Sequence, residues 1–74
     1  MNADDIGRCA GVIWQLLDSK GPMAIRQIGE QTSYKDSWIY LSLGWLSREN
    51  KIWFSESNGV LFVGLDSVFP ERYY

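Results

Sequence analysis

Six apolar residues among the first twenty positions recur at intervals of three and four. They are Ile6, Cys9, Ala10, Ile13, Leu16 and Leu17. This spacing places them on one stripe of an α-helix, which we predict from about Ala3 to Ser19. Asn2 can serve as the N-cap, and Gly21 followed by Pro22 ends the helix. The stripe predicts that this helix packs against a core.

The middle of the chain predicts two further helices. Residues 25–31 are a short amphipathic segment, predicted to be helical with Ile25 and Ile28 facing inward. The two apolar residues before it are enough for only a very short strand. After a polar connection, a third helix is expected over SWIYLSLGWLSREN, with Asp36 or Ser37 as its cap. Asn50 would end this helix in the left-handed conformation.

Two apolar segments near the C-terminus flank the dipeptide Asn58-Gly59. Asn-Gly between such segments predicts an antiparallel β-hairpin with a two-residue loop. This register pairs Phe54 with Val63 and Ile52 with Leu65, and we expect both pairs on the face that meets the helices. Two other aromatic residues of the hairpin, Trp53 and Phe62, would then point away from the helices.

The last nine residues, DSVFPERYY, have no clear period, and Pro70 prevents a continuous helix through them. We therefore predict one domain over residues 1–65. Residues 66–74 form a C-terminal tail that could fold back on that domain.

This arrangement resembles the winged helix-turn-helix domain from Ala3 to about Leu65. The segment SKGPMAIRQIGEQT is similar to the first-strand and second-helix region of such domains, and LGWLSRENKIWF is similar to the end of their third helix and the start of the wing. More narrowly, LGWL followed by Arg48 and Glu49 resembles a family of small bacterial winged-helix proteins without an assigned biochemical role. The resemblance implies an α+β fold in which three helices precede a two-stranded β-hairpin wing.

The predicted third helix carries apolar residues on two sides. At 100° per residue, Ile39, Leu43 and Leu46 form one stripe, which joins Ile52 and Phe54 in the core. The members of the second stripe, on nearly the opposite side, are Trp38, Leu41 and Trp45. In a DNA-binding winged helix, the resemblance implies that this second side is polar or basic and faces the major groove. Here it offers two indoles, a leucine and Ser42, with only Arg48 basic at the far end.

The charge pattern also disfavours nucleic acid as a partner. Seven Lys and Arg against nine Asp and Glu give a net charge of −2, and the wing tip carries Glu56 without a cation. The residues that remain candidates for nucleic-acid contact are Arg26, Lys35 and Arg48. Solvated surface charges are the simpler interpretation of all three.

Leaving the second stripe in water would forgo about 1.5 to 3 kcal/mol for each large side chain. Either another molecule or the chain's own tail and the Trp14 side of the first helix could cover it. We favour an interface with a second copy or another protein. The candidate interface residues are Trp38, Leu41, Trp45, Trp53 and Phe62. The predicted function is a non-catalytic module, in a transcription-linked setting, that self-associates or binds protein; a DNA-binding transcriptional regulator is the alternative.

The sequence offers little for catalysis. It has no His and a single Cys, and Cys9 lies on the apolar stripe of the first helix. We therefore expect no enzyme activity, metal, cofactor or small-molecule substrate. The apolar runs are too short to span a bilayer, and no charged N-terminal segment precedes an apolar one. A cytoplasmic location without membrane contact is the expectation.

Overall fold

A computed structural model describes residues 2–66 of the chain. The elements are α1 (Ala3–Lys20), β1 (Met23–Ala24), α2 (Ile25–Thr32), α3 (Asp36–Arg48), β2 (Ile52–Ser57) and β3 (Val60–Leu65). Three helices followed by an antiparallel strand pair confirm the predicted α+β winged-helix fold. The proposed C-terminal tail lies outside the described residues apart from Asp66, so its relation to the domain stays a prediction.

Helix α1 begins and ends as the sequence predicts. The Asn2 side chain accepts a hydrogen bond from the Asp5 N–H at 3.0 Å, and the Asp5 carboxylate accepts one from the Asn2 N–H at 3.3 Å. This reciprocal pair satisfies two backbone donors at the helix start. Arg8 forms an ion pair with Asp5 on the same exposed turn. At the other end Gly21 has a φ of 82°, a value that favours glycine.

The core lies between the three helices and one face of the sheet. Its buried side chains are Ala10, Ile13, Leu17, Met23, Ile25, Ile28, Ile39, Leu43, Leu46, Ile52 and Val63. The stripes predicted for all three helices therefore meet in a single cluster. Among the helices of residues 2–66, none combines the length and apolar character needed to cross a membrane.

The start of α3 differs from the expectation. Lys35 is the N-cap, without a side-chain cap bond, and both Asp36 and Ser37 lie inside the helix. Asp36 still lies in the first turn, where the helix dipole favours an anion. The end of the helix is as predicted, since Asn50 has a left-handed φ of 57°.

Cys9 is buried, as expected from its stripe, and it contacts a residue that the sequence did not suggest. Burial raises the pKa of Tyr34 above its ordinary value, and a hydrogen bond and charge interaction with Cys9 act in the same direction. Tyr34 packs against the edge of the core.

The sheet has the strand order β1-β3-β2, and all its pairs are antiparallel. The register confirms the prediction, because Phe54 pairs with Val63 and Ile52 with Leu65. Asn58 and Gly59 form the turn, with φ of 52° and 78°.

One expectation about the sheet is wrong. Phe54 was placed in the core, yet its side chain is 45% exposed. It lies on the helix-facing side of β2, opposite the fully buried Val63. β2 is an edge strand of the sheet, and the helices cover its beginning at Ile52 but not its middle.

Candidate interaction surfaces

The first candidate surface lies where α1 and α3 pack side by side. The Trp45 indole lies across Gly7 of α1, where an added Cβ would be 3.5 Å from the ring. Trp45 is nevertheless 42% exposed, and Leu41, one turn before it, is 46% exposed. Trp14 and Gly11 of α1 line a shallow cavity of about 370 Å³ together with Trp45. We call these five residues the α1–α3 surface.

Two neighbouring positions of α3 are more buried than the sequence suggested. Trp38 is half-buried. Ser42, which was expected to face outward with the indoles, is fully buried, and its hydroxyl has no hydrogen-bond partner among residues 2–66. The expectation for Ser42 was wrong because α1 packs closely against α3 and covers this side of the helix. Only the part of the stripe with Leu41 and Trp45 is left largely exposed.

The second candidate surface is the sheet face that points away from the helices. Trp53 lies there with 38% of its surface exposed, and its indole fills the space above Gly64 of β3. A Cβ on Gly64 would overlap that ring. Phe62 lies on the same face and is half-buried, opposite Ser55. The predicted outward direction of the two aromatic residues therefore agrees with the strand register.

The three candidate cations for nucleic-acid contact lie on α2 and at the two ends of α3. Arg26 forms an exposed ion pair with Glu30 at 3.6 Å. Lys35 is the exposed N-cap of α3. Arg48, in the last turn of α3, lines a small cavity of about 240 Å³ with Leu41. Arg48 lies at the opposite end of α3 from Lys35, and it lines a different cavity from the one that Arg26 lines, so the fold does not gather all three residues into one basic patch.

A groove of about 920 Å³ separates the wing from α2 and the start of α3. Its charged lining residues are Arg26, Glu30, Asp36 and Glu56. Three carboxylates against one guanidinium, itself paired with Glu30, give the groove an acidic character. Tyr34 and Tyr40 supply aromatic walls. Sequence reasoning noted Glu56 in the wing but could not place it near the two helices, because that proximity depends on how the hairpin packs.

The described residues show no metal-binding constellation: between residues 2 and 66, no three His, Cys, Asp or Glu side chains are grouped closely enough to hold an ion. The α1–α3 surface is aromatic and aliphatic, and the groove combines tyrosines with three carboxylates and the guanidinium of Arg26. Such surfaces bind by burial and charge complementarity.

Comparisons with known proteins agree with this architecture. Protein BT2368 from Bacteroides thetaiotaomicron, solved in solution by NMR, superposes with a TM-score of 0.81 at 24% sequence identity. The match covers 100% of this chain and 95% of that one, and at this identity it shows the fold alone. No curated protein matches the sequence. The family described as winged helix-turn-helix domain (DUF2582) matches residues 1–65. The chain belongs to this winged helix-turn-helix family.

Proposed function

We propose that this winged helix is a non-catalytic module that works by contact with protein, in a transcription-linked setting. One observation carries the proposal. Leu41 and Trp45 are exposed on α3, the helix that a DNA-binding winged helix inserts into the major groove. Base edges and phosphates are held by Arg, Lys, Asn and Gln, whereas exposed aromatic and aliphatic side chains are typical of protein interfaces.

The charges of the groove support the same proposal. The phosphate backbone supplies most of the affinity in DNA binding, and it requires unpaired cations. The groove between the wing and the helices instead presents Asp36 and Glu56, while Arg26 is engaged with Glu30. DNA that approached the helix and wing together would meet these carboxylates.

Exposed apolar residues of α3 and α1 lie next to one another. Scattered single apolar residues are normal on a protein surface, whereas contiguous ones mark a contact site. Leu41 and Trp45 line a common cavity on α3, and Trp14 adjoins Trp45 across the α1–α3 surface. The expected partner surface therefore fits against both helices.

Light scattering on the purified chain, from about 1 to 100 µM, tests self-association as the simplest form of this function. We expect a dimer that dissociates on dilution, and a weaker one, by at least about tenfold in Kd, for Leu41→Gln. Val12→Gln is the matched control, because Val12 of α1 is 44% exposed and Leu41 46%. A monomer throughout the range, with no protein partner bound, would count against the proposal.

The alternative, a DNA-binding regulator, is favoured by the fold and by the position of Arg48 at the exposed end of α3. A titration with random duplex DNA at low salt distinguishes the two functions. Protein contact predicts no saturable, salt-sensitive binding, whereas DNA binding predicts an affinity that falls with salt and with Arg48→Ala.

A further inference from the structure

Strand β2 leaves one edge of the sheet open within residues 2–66. The strand order β1-β3-β2 places β2 outermost, and its six residues contain neither Pro nor Gly. Soluble proteins usually protect such an edge by a short strand, a bulge, a proline or several charges. β2 has one charged residue, Glu56, so this edge is suited to pair with another strand.

The backbone pattern shows which residues face that edge. In an antiparallel pair, positions bonded to the partner strand alternate with positions whose N–H and C=O point away from it. The Lys51 carbonyl accepts a hydrogen bond from the Asp66 N–H at 2.9 Å. Lys51 is therefore a position bonded to the neighbouring strand, and so is every second residue after it. The outward positions are therefore Ile52, Phe54 and Glu56, and Phe54 is their centre.

At Trp53 and Phe54 the side chains beside this edge are apolar on both faces of the strand. Phe54 is exposed on the helix-facing side, and Trp53 is exposed on the opposite side. A helix docked on either face would cover only one of them. A strand added in the plane of the sheet lies next to both.

We propose that two copies of this chain pair antiparallel along β2, with Phe54 of each copy opposite Phe54 of the other. A two-fold axis perpendicular to the sheet leaves each face of the sheet on the same side in both copies. Each residue of β2 must therefore pair with a residue whose side chain lies on the same face. Centring the axis on Phe54 pairs all three outward positions, with Ile52 opposite Glu56 of the second copy. Centring it on Ser55 pairs only two outward positions per copy.

The outward backbone groups of β2 favour a second copy of the chain as the partner. The outward groups are symmetric about Phe54, so each copy supplies the donors and acceptors that the other lacks. The same register keeps the two Glu56 carboxylates at opposite ends of the paired strands. Each carboxylate then lies at the end where the other copy carries Lys51, so like charges are not opposed. This inference rests on the proposed function in that the partner is protein, here a second copy, but the contact lies at the β2 edge and not at the α1–α3 surface. Leu41→Gln should therefore leave cross-linking through Phe54→Cys unchanged.

Disulfide cross-linking of the full chain tests the register. In a Cys9→Ala background, Phe54→Cys places two cysteines about 5.5 Å apart between Cα atoms, within the range of a disulfide. Ser55→Cys is the matched control, since its two copies would be roughly 8 Å apart. Under mild oxidation we expect at least about five times more covalent dimer for Phe54→Cys than for Ser55→Cys, measured on non-reducing gels.

A second variant tests the edge without removing Phe54. Glu56→Pro deletes an outward N–H but none that β3 uses, so we expect the fold to persist and the dimer to weaken at least tenfold. Glu56→Ala is its control. Both circular dichroism and light scattering are needed, because a lost dimer is informative only if the far-UV spectrum is unchanged.

The outcomes separate this inference from the proposed function. Preferential cross-linking through Ser55 would overturn the register centred on Phe54. A dimer that Glu56→Pro leaves intact would overturn the β2 pairing itself, and in both cases protein contact stands. A chain that is monomeric by light scattering and cross-links at neither position, for instance because its own tail occupies the edge, would overturn the pairing and weigh against self-association as well.

Discussion

The two strands of the wing have the same length and pair residue for residue, yet they differ in what they contribute to the fold. β3 lies between β1 and β2, and its Val63 is fully buried. β2 lies at the edge, and Ile52 is its single buried residue. The opposite pair Phe54 and Val63 shows the contrast most clearly. In so small a domain, the position of a strand in the sheet decides burial more than the size of an apolar side chain.

The largest expected effect separates the two ends of β2. Ile52→Ala should lower the free energy of unfolding by about 2 to 5 kcal/mol, because Ile52 is 8% exposed and belongs to the core cluster. Phe54→Ala removes a larger side chain but should cost less than about 1 kcal/mol, since Phe54 is already half in water. Urea unfolding of both variants, at a concentration where light scattering shows a monomer, measures the difference.

Equal losses for the two variants would mean that Phe54 is covered in solution. A concentration dependence of the Phe54→Ala effect would identify the cover as a second copy, because association stabilises the folded state by an amount that grows with the logarithm of protein concentration. The same experiment on Ile52→Ala should show little additional concentration dependence.

The fold was predictable because its signals are local and periodic. The spacing of Ile13 and Leu17 on α1, and of Ile39 and Leu43 on α3, indicated the sides that meet in the core. Asn58-Gly59 determined the loop of the hairpin, and the loop determined the register. These features depend on residues close in sequence.

The errors arose where contacts between distant elements decide the outcome. Ser42 lies on the border of two stripes, and the packing of α1 onto α3 buries it. Phe54 lies on the same face of β2 as Ile52, but no helix covers it. Likewise, no local pattern shows that Trp45 of α3 lies across Gly7 of α1. The sequence thus named candidate residues, whereas their arrangement on the surface depends on contacts between distant elements.

The next effect concerns the contact between the two strands on the outer face. Gly64→Ala adds a Cβ that overlaps the Trp53 indole, so the ring must leave its position above β3. We expect a loss of about 1 to 3 kcal/mol in the free energy of unfolding. Thermal and urea unfolding measure the loss, and Trp53→Ala should make the additional Gly64→Ala substitution nearly neutral.

Gly44→Ala is the matched control for that substitution. Gly44 lies in α3, and nothing is within 4 Å of the Cβ it would gain. Alanine is the better helix former, so this variant should be more stable than the wild type by about 0.5 to 1 kcal/mol. If both glycine variants lost stability equally, crowding by Trp53 would not be the cause at Gly64.

The smallest expected effect is at the turn that joins the two strands. Asn58 has a left-handed φ of 52°, which alanine adopts less readily, so Asn58→Ala should cost about 1 kcal/mol and Asn58→Gly only a few tenths. Since the turn fixes the register, Asn58→Ala should also raise amide hydrogen exchange at the tip of both strands. Exchange should stay slow at Val63, because the core holds that end of β3. Equal acceleration along the whole of β3 would instead show that the turn, and not the core, holds the central strand in place.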